Sequence, residues 1–213
     1  MNVFNKLSKW IKMKFVDEKQ DDNHIEYKIL VLGEKGVGKS SICTRLVNNE
    51  FNLEIKPTTQ SECYSKTLKL LDYNIKLYIV DIDENVMKND RSNLYQDVKG
   101  AIIVYDITKS KTFEKVDNWI LDIRQNASMN IPLILCGNKS DLTFLRNVDN
   151  EEGQDKATSL GCEFAEVSCV DPNTVKDVFK LLVSKIFYSE LPESKRNYFK
   201  IYFSNLEKEE ADK

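Results

Sequence analysis

Gly33-Glu34-Lys35-Gly36-Val37-Gly38-Lys39-Ser40 sets the architecture expected of this 213-residue chain. Its spacing, G-x-x-x-x-G-K-[ST], is that of a loop that cradles phosphate groups. Tyr27-Lys28-Ile29-Leu30-Val31-Leu32 precedes it as a short apolar run, which reads as a buried parallel strand. Ser41 to Asn49 follows with helical spacing, placing Ile42, Leu46 and Val47 on one face. Glycines let a backbone close around an oligophosphate because no Cβ obstructs the approach. Successive N–H groups and the positive end of the helix then face the anion. Glu34, Lys35, Gly36, Val37, Gly38, Lys39, Ser40 and Ser41 are therefore the candidate phosphate contacts. Lys39 would reach the terminal phosphates, and the Ser40 hydroxyl would bind Mg²⁺.

Strands and helices alternate through the rest of the chain. Glu62–Leu71 and Ile75–Ile82 read as strands flanking Asp72-Tyr73-Asn74, a turn short enough to make them an antiparallel hairpin. Further strands are predicted at Gly100–Asp106, Ile131–Gly137 and Cys162–Val167. Helices are predicted at Thr112–Asn126, 150–160 and Thr174–Phe187. This order implies an α/β fold: a doubly wound, mainly parallel six-stranded sheet with one antiparallel strand, flanked by helices. In such sheets ligands sit beyond the carboxyl ends of the strands. The phosphate loop, Asp81, Asn138 and Ser168 all fall at such ends, which points to one site.

The composition allows one α/β domain, expected over residues 26–189, with an N-terminal segment 1–25 and a tail 190–213. The formal net charge of −3 argues against nucleic-acid binding, which usually needs a basic face. Nothing reads as a membrane span or as a secretory signal. The five cysteines form no C-x-x-C pair and read as reduced, mostly core residues of a cytosolic chain. His24, the single histidine, falls in a polar stretch, so histidine-based catalysis and histidine metal sites are not expected. Residues 1–15 hold four lysines and no acid, with Val3, Phe4, Leu7, Trp10, Ile11 and Phe15 on one side of a helical wheel. That is a basic amphipathic helix, able to lie on an anionic membrane, dock on its own domain or bind a partner. Residues 16–25 read as an acidic linker.

Asn138-Lys139-Ser140-Asp141 addresses the identity of the nucleotide. Guanine offers its N1–H and exocyclic amine side by side, and one carboxylate accepts both, a role that fits Asp141. Adenine lacks that pair and would leave the carboxylate unmatched, which disfavours a kinase or ATPase. Asn138 can bond the base edge or brace neighbouring loops, and the Lys139 stem can cover one face of the base.

With these motifs the chain resembles the small GTPases of the Ras superfamily, and the Rab branch most closely, over roughly residues 26–189. Phe51, Pro57-Thr58, Lys76-Leu77-x-Ile79-x-Asp81, Val104-Tyr105-Asp106-Ile107-Thr108 and Phe113-x-x-Val116-x-x-Trp119 carry the resemblance too. It implies GTP and GDP as ligands with Mg²⁺, a role in vesicle traffic, and effector, exchange-factor and activating proteins as partners. It also implies that Phe51 lies edge-on to guanine and that Thr58 meets Mg²⁺ and the γ-phosphate. Asp81 would hold a Mg²⁺-bound water, and Ser168-Cys169-Val170 would contact the base. Lys39, Thr58 and Asn85 would be the catalytic positions.

The family's Asp-x-x-Gly-Gln is Asp81-Ile82-Asp83-Glu84-Asn85 here. An acid replaces the glycine that meets the γ-phosphate, and the water-orienting glutamine is either shortened to Asn85 or missing. Asp83 and Glu84 add negative charge near a triphosphate. Lys35 stands where small residues are usual, crowding the room an incoming arginine needs. Slow GTP hydrolysis is the expectation, with a pseudo-GTPase scaffold as the alternative. Thr59-Gln60-Ser61-Glu62-Cys63 departs from the Rab effector surface, and residues 190–213 contain no cysteine for a prenyl anchor.

Overall fold

The computed structural model describes residues 14–16, 24–50, 61–70, 73–82, 92–128 and 130–196. Seven strands make one sheet: β1 (Lys14–Val16), β2 (His24–Leu32), β3 (Glu62–Leu70), β4 (Tyr73–Asp81), β5 (Val98–Asp106), β6 (Leu133–Asn138) and β7 (Glu163–Val167). Their order across the sheet is β1-β3-β4-β2-β5-β6-β7. Pairs β4–β2, β2–β5, β5–β6 and β6–β7 are parallel, while β3 runs antiparallel to β4. These are the six expected strands, with β3 the antiparallel one. β1 adds a short antiparallel edge, with Phe15 opposite Leu68.

The helices are α1 (Lys39–Asn48), α2 (Ser92–Tyr95), α3 (Ser110–Glu114), α4 (Val116–Asn126), α5 (Asn150–Ser159) and α6 (Pro172–Glu190). Alternation along the central strands explains why helices are needed on both faces. In β2, Tyr27, Ile29 and Val31 join a core with Ile42 and Leu46 of α1 and Val178, Phe179 and Leu182 of α6. Leu30 and Leu32 point the other way, joining Trp119, Ile120 and Ile123 of α4 and Ala157 of α5. Each fully buried Leu or Ile contributes about 1.5–3 kcal/mol, so the two faces share the stabilisation. Cap chemistry fixes where the helices begin. Asp149 and Glu152 form a capping box on α5, and Asp171 accepts from the Asn173 amide ahead of Pro172 at the start of α6.

Several elements differ from expectation. Residues 14 and 15, read as the end of an amphipathic helix, belong instead to strand β1, because β3 offers an open edge whose backbone groups need partners. β2 starts at His24, inside the stretch read as linker, since pairing with β4 continues to Asn74. The helix expected at Thr112–Asn126 is divided at Lys115 into α3 and α4. Cys63 is exposed and Cys162 partly exposed, while Cys43, Cys136 and Cys169 are buried; no described cysteine is in a disulfide. No helix among the described residues is long and apolar enough to cross a membrane.

Candidate functional site

Register brings the candidate residues together. Val31 is opposite Asp81, so β2 and β4 end together. Asp106 is opposite Asn138 and Asn138 is opposite Val167, so β5, β6 and β7 end together, three residues beyond the pairing of Leu32 with Ile103. The phosphate loop leaves β2 in the middle of this row, where neighbouring connections diverge to opposite sides of the sheet.

Close packing dictates the glycines of that loop. Gly33 has φ +142°, and a Cβ there would stand 2.2 Å from the Val104 carbonyl oxygen. Gly38 has φ +97°, and its Cβ would lie 2.3 Å from Asn138 Nδ2. Lys39, at the first position of α1, is 9% exposed. Its ammonium donates to the carbonyls of Gly33 at 2.8 Å and Glu34 at 3.2 Å, holding the positive charge within the loop. Gly36 meets no atom within 4 Å of a would-be Cβ, so this side of the loop is open to an anion. Lys35 is exposed beside it.

The Ser40 hydroxyl donates to Asp81 Oδ2 at 2.5 Å, joining α1 to the end of β4. Asp81 is buried, and among the described residues no three His, Cys, Asp or Glu side chains cluster as a metal cage. A hydroxyl and one carboxylate fit Mg²⁺, which takes few protein ligands and completes its shell with phosphate oxygens and water.

At the carboxyl end of β6, Asn138 braces the neighbouring loops. Its Nδ2 donates to the Val37 carbonyl at 2.8 Å, and its Oδ1 accepts from Cys169 Sγ at 3.8 Å. Lys139 has a left-handed backbone, φ +68°, which strains a non-glycine residue. Its ammonium compensates by bridging Asp106 Oδ2 at 2.5 Å and the Gly36 carbonyl at 3.2 Å. Burial alone would raise the Asp106 pKa. Hydrogen bonds from Lys139 and Thr108 outweigh it and hold the carboxyl below its usual range, as an anion. Asp141 accepts from Ser168 Oγ at 2.5 Å, and the same oxygen accepts from the Val170 amide at 3.1 Å. Asp141, Ser168, Cys169 and Val170 thus form one rim, in which Asp141 and Val170 are exposed and Cys169 is buried.

Side chains not singled out from the sequence hold this rim. Arg45 of α1 donates to the carbonyls of Cys169 at 2.6 Å and Val170 at 3.0 Å. Thr174 Oγ1 donates to the Ser168 carbonyl at 3.0 Å and accepts from the Ser168 amide at 3.1 Å. Arg146 forks onto Glu166 at 2.6 and 2.9 Å, fixing the turn that follows Asp141. Trp119 Nε1 of α4 donates to Glu34 Oε1 at 3.2 Å. Asp106 and Trp119 had a sequence signal, as parts of the patterns that carry the family resemblance; Arg45 and Thr174 sit on ordinary helical positions. Phe51, Thr58 and Asn85 lie outside the described residues. A cavity of about 390 Å³ between α4 and α6, lined by Pro132, Gly161 and Tyr188 among others, contains none of the candidate residues.

The donor set suits a nucleoside phosphate with a divalent cation. Comparison with known proteins agrees with that chemistry. The sequence profile of the Ras family matches residues 28–188. The Ras-related protein RABA2b of Arabidopsis thaliana is 37% identical over 163 residues, covering 76% of each chain. The Ras-related protein Rab-11A of Dictyostelium discoideum is 35% identical over 170 residues, covering 79% of each. The GTP-binding protein ypt3 of Schizosaccharomyces pombe is 36% identical over 169 residues, again 79% of each.

Proposed function

The chain belongs to the Ras family, as a Rab-like small GTPase, and from that premise we propose a guanine-nucleotide switch whose own GTP hydrolysis is slow. The Asn138–Val37 bond carries the nucleotide part of this reading, because it fastens the base-reading loop to the phosphate loop. In this reading Gly36, Val37, Gly38 and Ser41 offer backbone to the phosphates, and Lys39 supplies the charge that neutralises them. Asp141 reads guanine, while Lys139, Ser168, Cys169 and Val170 frame the base. Ser40 and Asp81 hold Mg²⁺ with Thr58, and Phe51 packs against the base. Mg²⁺ held there would supply positive charge against the phosphates.

Slow hydrolysis is inferred from Asp81-Ile82-Asp83-Glu84-Asn85. Acids at 83 and 84 repel a triphosphate, and the glutamine that would orient water is either shortened by one methylene to Asn85 or missing. Lys35 supports either of two roles, obstructing an incoming arginine or itself meeting the γ-phosphate. Single-turnover hydrolysis of loaded GTP is the test: a rate equal to that of ordinary Rab proteins, or acceleration by several decades with an activating protein, would refute it. A pseudo-GTPase scaffold is the second reading, favoured by the same acids. Retention of unhydrolysed GTP over many hours would select it.

Vesicle traffic is the setting we infer, on the cytosolic face of an endomembrane. Residues 1–15 are the proposed peripheral contact, with Lys14 and Phe15 already engaged in β1. Liposome co-sedimentation with and without residues 1–13 tests that contact; equal binding would end it.

A further inference from the structure

Glu34 is clamped from two directions. Lys39 Nζ bonds its main-chain carbonyl at 3.2 Å, and Trp119 Nε1 bonds its carboxylate at 3.2 Å. Trp119 is only 8% exposed and belongs to the core cluster that contains Ile120, Ile123 and Leu32. Its ring is therefore fixed by packing, and its single N–H is spent on the loop. One helical turn further along α4, Asp122 accepts a hydrogen bond from the Tyr95 hydroxyl of α2. Positions 119 and 122 share a face of the helix. α4 thus spans from the phosphate loop to the element that follows the chain's departure from Asp81-Ile82.

We propose that Trp119 is a positioning residue for nucleotide binding, acting through Glu34 on Lys39. The loop around Gly33 and Glu34 makes its tight turn with Gly33 at φ +142°. Glycine permits this conformation but does not hold it. The ammonium of Lys39 takes its place from the Gly33 and Glu34 carbonyls, and the Glu34 side chain takes its place from the indole N–H, tethering the residue. Losing the indole bond lets the first half of the loop sample other turns, and the lysine then meets the phosphates less often in the productive geometry. The Glu34 side chain contributes through this link rather than by facing the anionic ligand, which a carboxylate would repel.

This inference rests on the nucleotide-binding reading, and the experiment separates their failures. Release of a fluorescent GDP analogue is timed for the parent chain, Glu34→Ala, Glu34→Gln, Trp119→Phe and the double variant Glu34→Ala/Trp119→Phe. Leu121→Ala, on the exposed side of α4, serves as the helix control. Glu34→Ala and Trp119→Phe are each expected to speed release roughly tenfold, the scale of one partly exposed hydrogen bond to a charged group. Glu34→Gln keeps an acceptor oxygen and is expected to retain most of the parent's grip, and Leu121→Ala all of it. The double variant should release no faster than the faster single variant, because both remove the same bond. In a Trp10→Phe background Trp119 is the only tryptophan of the two in the chain. Its emission should change on GDP release, and Glu34→Ala should abolish the change. Additive rates in the double variant, or a parental rate in Glu34→Ala, would overturn the inference while leaving nucleotide binding intact. A parent chain that holds no GDP would overturn both.

Discussion

The Asn138 side chain hangs from the Val37 carbonyl, 2.8 Å away and 101 positions earlier in the chain. Both atoms are buried, so neither can turn to water for a substitute partner. Asn138→Ala would orphan that carbonyl and deprive Cys169 Sγ of its acceptor. A buried unsatisfied group costs about 1–3 kcal/mol, which corresponds to GDP release faster by roughly ten- to a hundredfold. Asn138→Asp should be worse than Ala, since it sets a carboxylate against a carbonyl oxygen. Stopped-flow release of labelled GDP checks both, and parental rates would show that the two loops hold together without this bond.

Ser40 and Asp81 meet at 2.5 Å, and in the proposed site they face one cation. Chelation of Mg²⁺ should therefore speed GDP release from the parent chain by at least about tenfold, the equivalent of 1.4 kcal/mol. Ser40→Ala should release quickly at the outset and respond little to the chelator. Asp81→Asn keeps an acceptor for the Ser40 hydroxyl but removes the carboxylate's charge, so it should raise the Mg²⁺ concentration needed for slow release. A Ser40→Ala chain that still responds to the chelator like the parent would exclude Ser40 from the metal site.

Gly38 and Gly36 both have positive φ, +97° and +79°, but differ in surroundings. A methyl on Gly38 would stand 2.3 Å from Asn138 Nδ2, whereas one on Gly36 would meet nothing within 4 Å. Gly36→Ala should thus cost only backbone strain, about 1 kcal/mol, while Gly38→Ala adds the clash and costs about 2–4 kcal/mol. In thermal unfolding the first should lower Tm by about 2–4 °C and the second by roughly two to four times as much. Equal shifts would mean that the Asn138 amide yields freely.

Much of this arrangement is legible before any coordinates. The loop at 33–40 is a local motif, and the apolar runs at 27–32, 100–106 and 131–137 are of strand rather than helix length and rich in β-branched residues. Strand ends then order Asp81, Asn138 and Ser168 in one row without reference to tertiary contacts. β1 was not legible, because three residues carry no period and Phe15 suits a helix face as well as an edge strand. Pairing with β3 settles the choice, and that is a tertiary fact. The Arg45 bonds to Cys169 and Val170 were hidden for another reason. They run from one side chain to main-chain carbonyls 124 and 125 positions away, and a carbonyl has no letter in the sequence. Trp119 was visible as part of a family pattern, but its bond to Glu34 depends on how α4 lies against the sheet.

Cys169 is buried beside Asn138 in the rim of the site, and that burial has a consequence for alkaline stability. Burial raises its thiol pKa from 9.0 to about 11, against the lowering effect of Arg45 and of the hydrogen bond to Asn138. The folded chain therefore keeps the proton where the unfolded chain has lost it, so folding is weakened as pH rises from 9 toward 11. Below pH 9 both states are protonated and no effect is expected. By about pH 10.5 the loss from this residue should reach roughly 2 kcal/mol. Cys162, raised to about 11 by burial, adds in the same direction. Thermal unfolding from pH 7 to 10.5 should show a Tm that falls above pH 9, less steeply in Cys169→Ala. An unchanged alkaline slope in Cys169→Ala would mean that the thiol is more accessible to water than its 5% exposure implies.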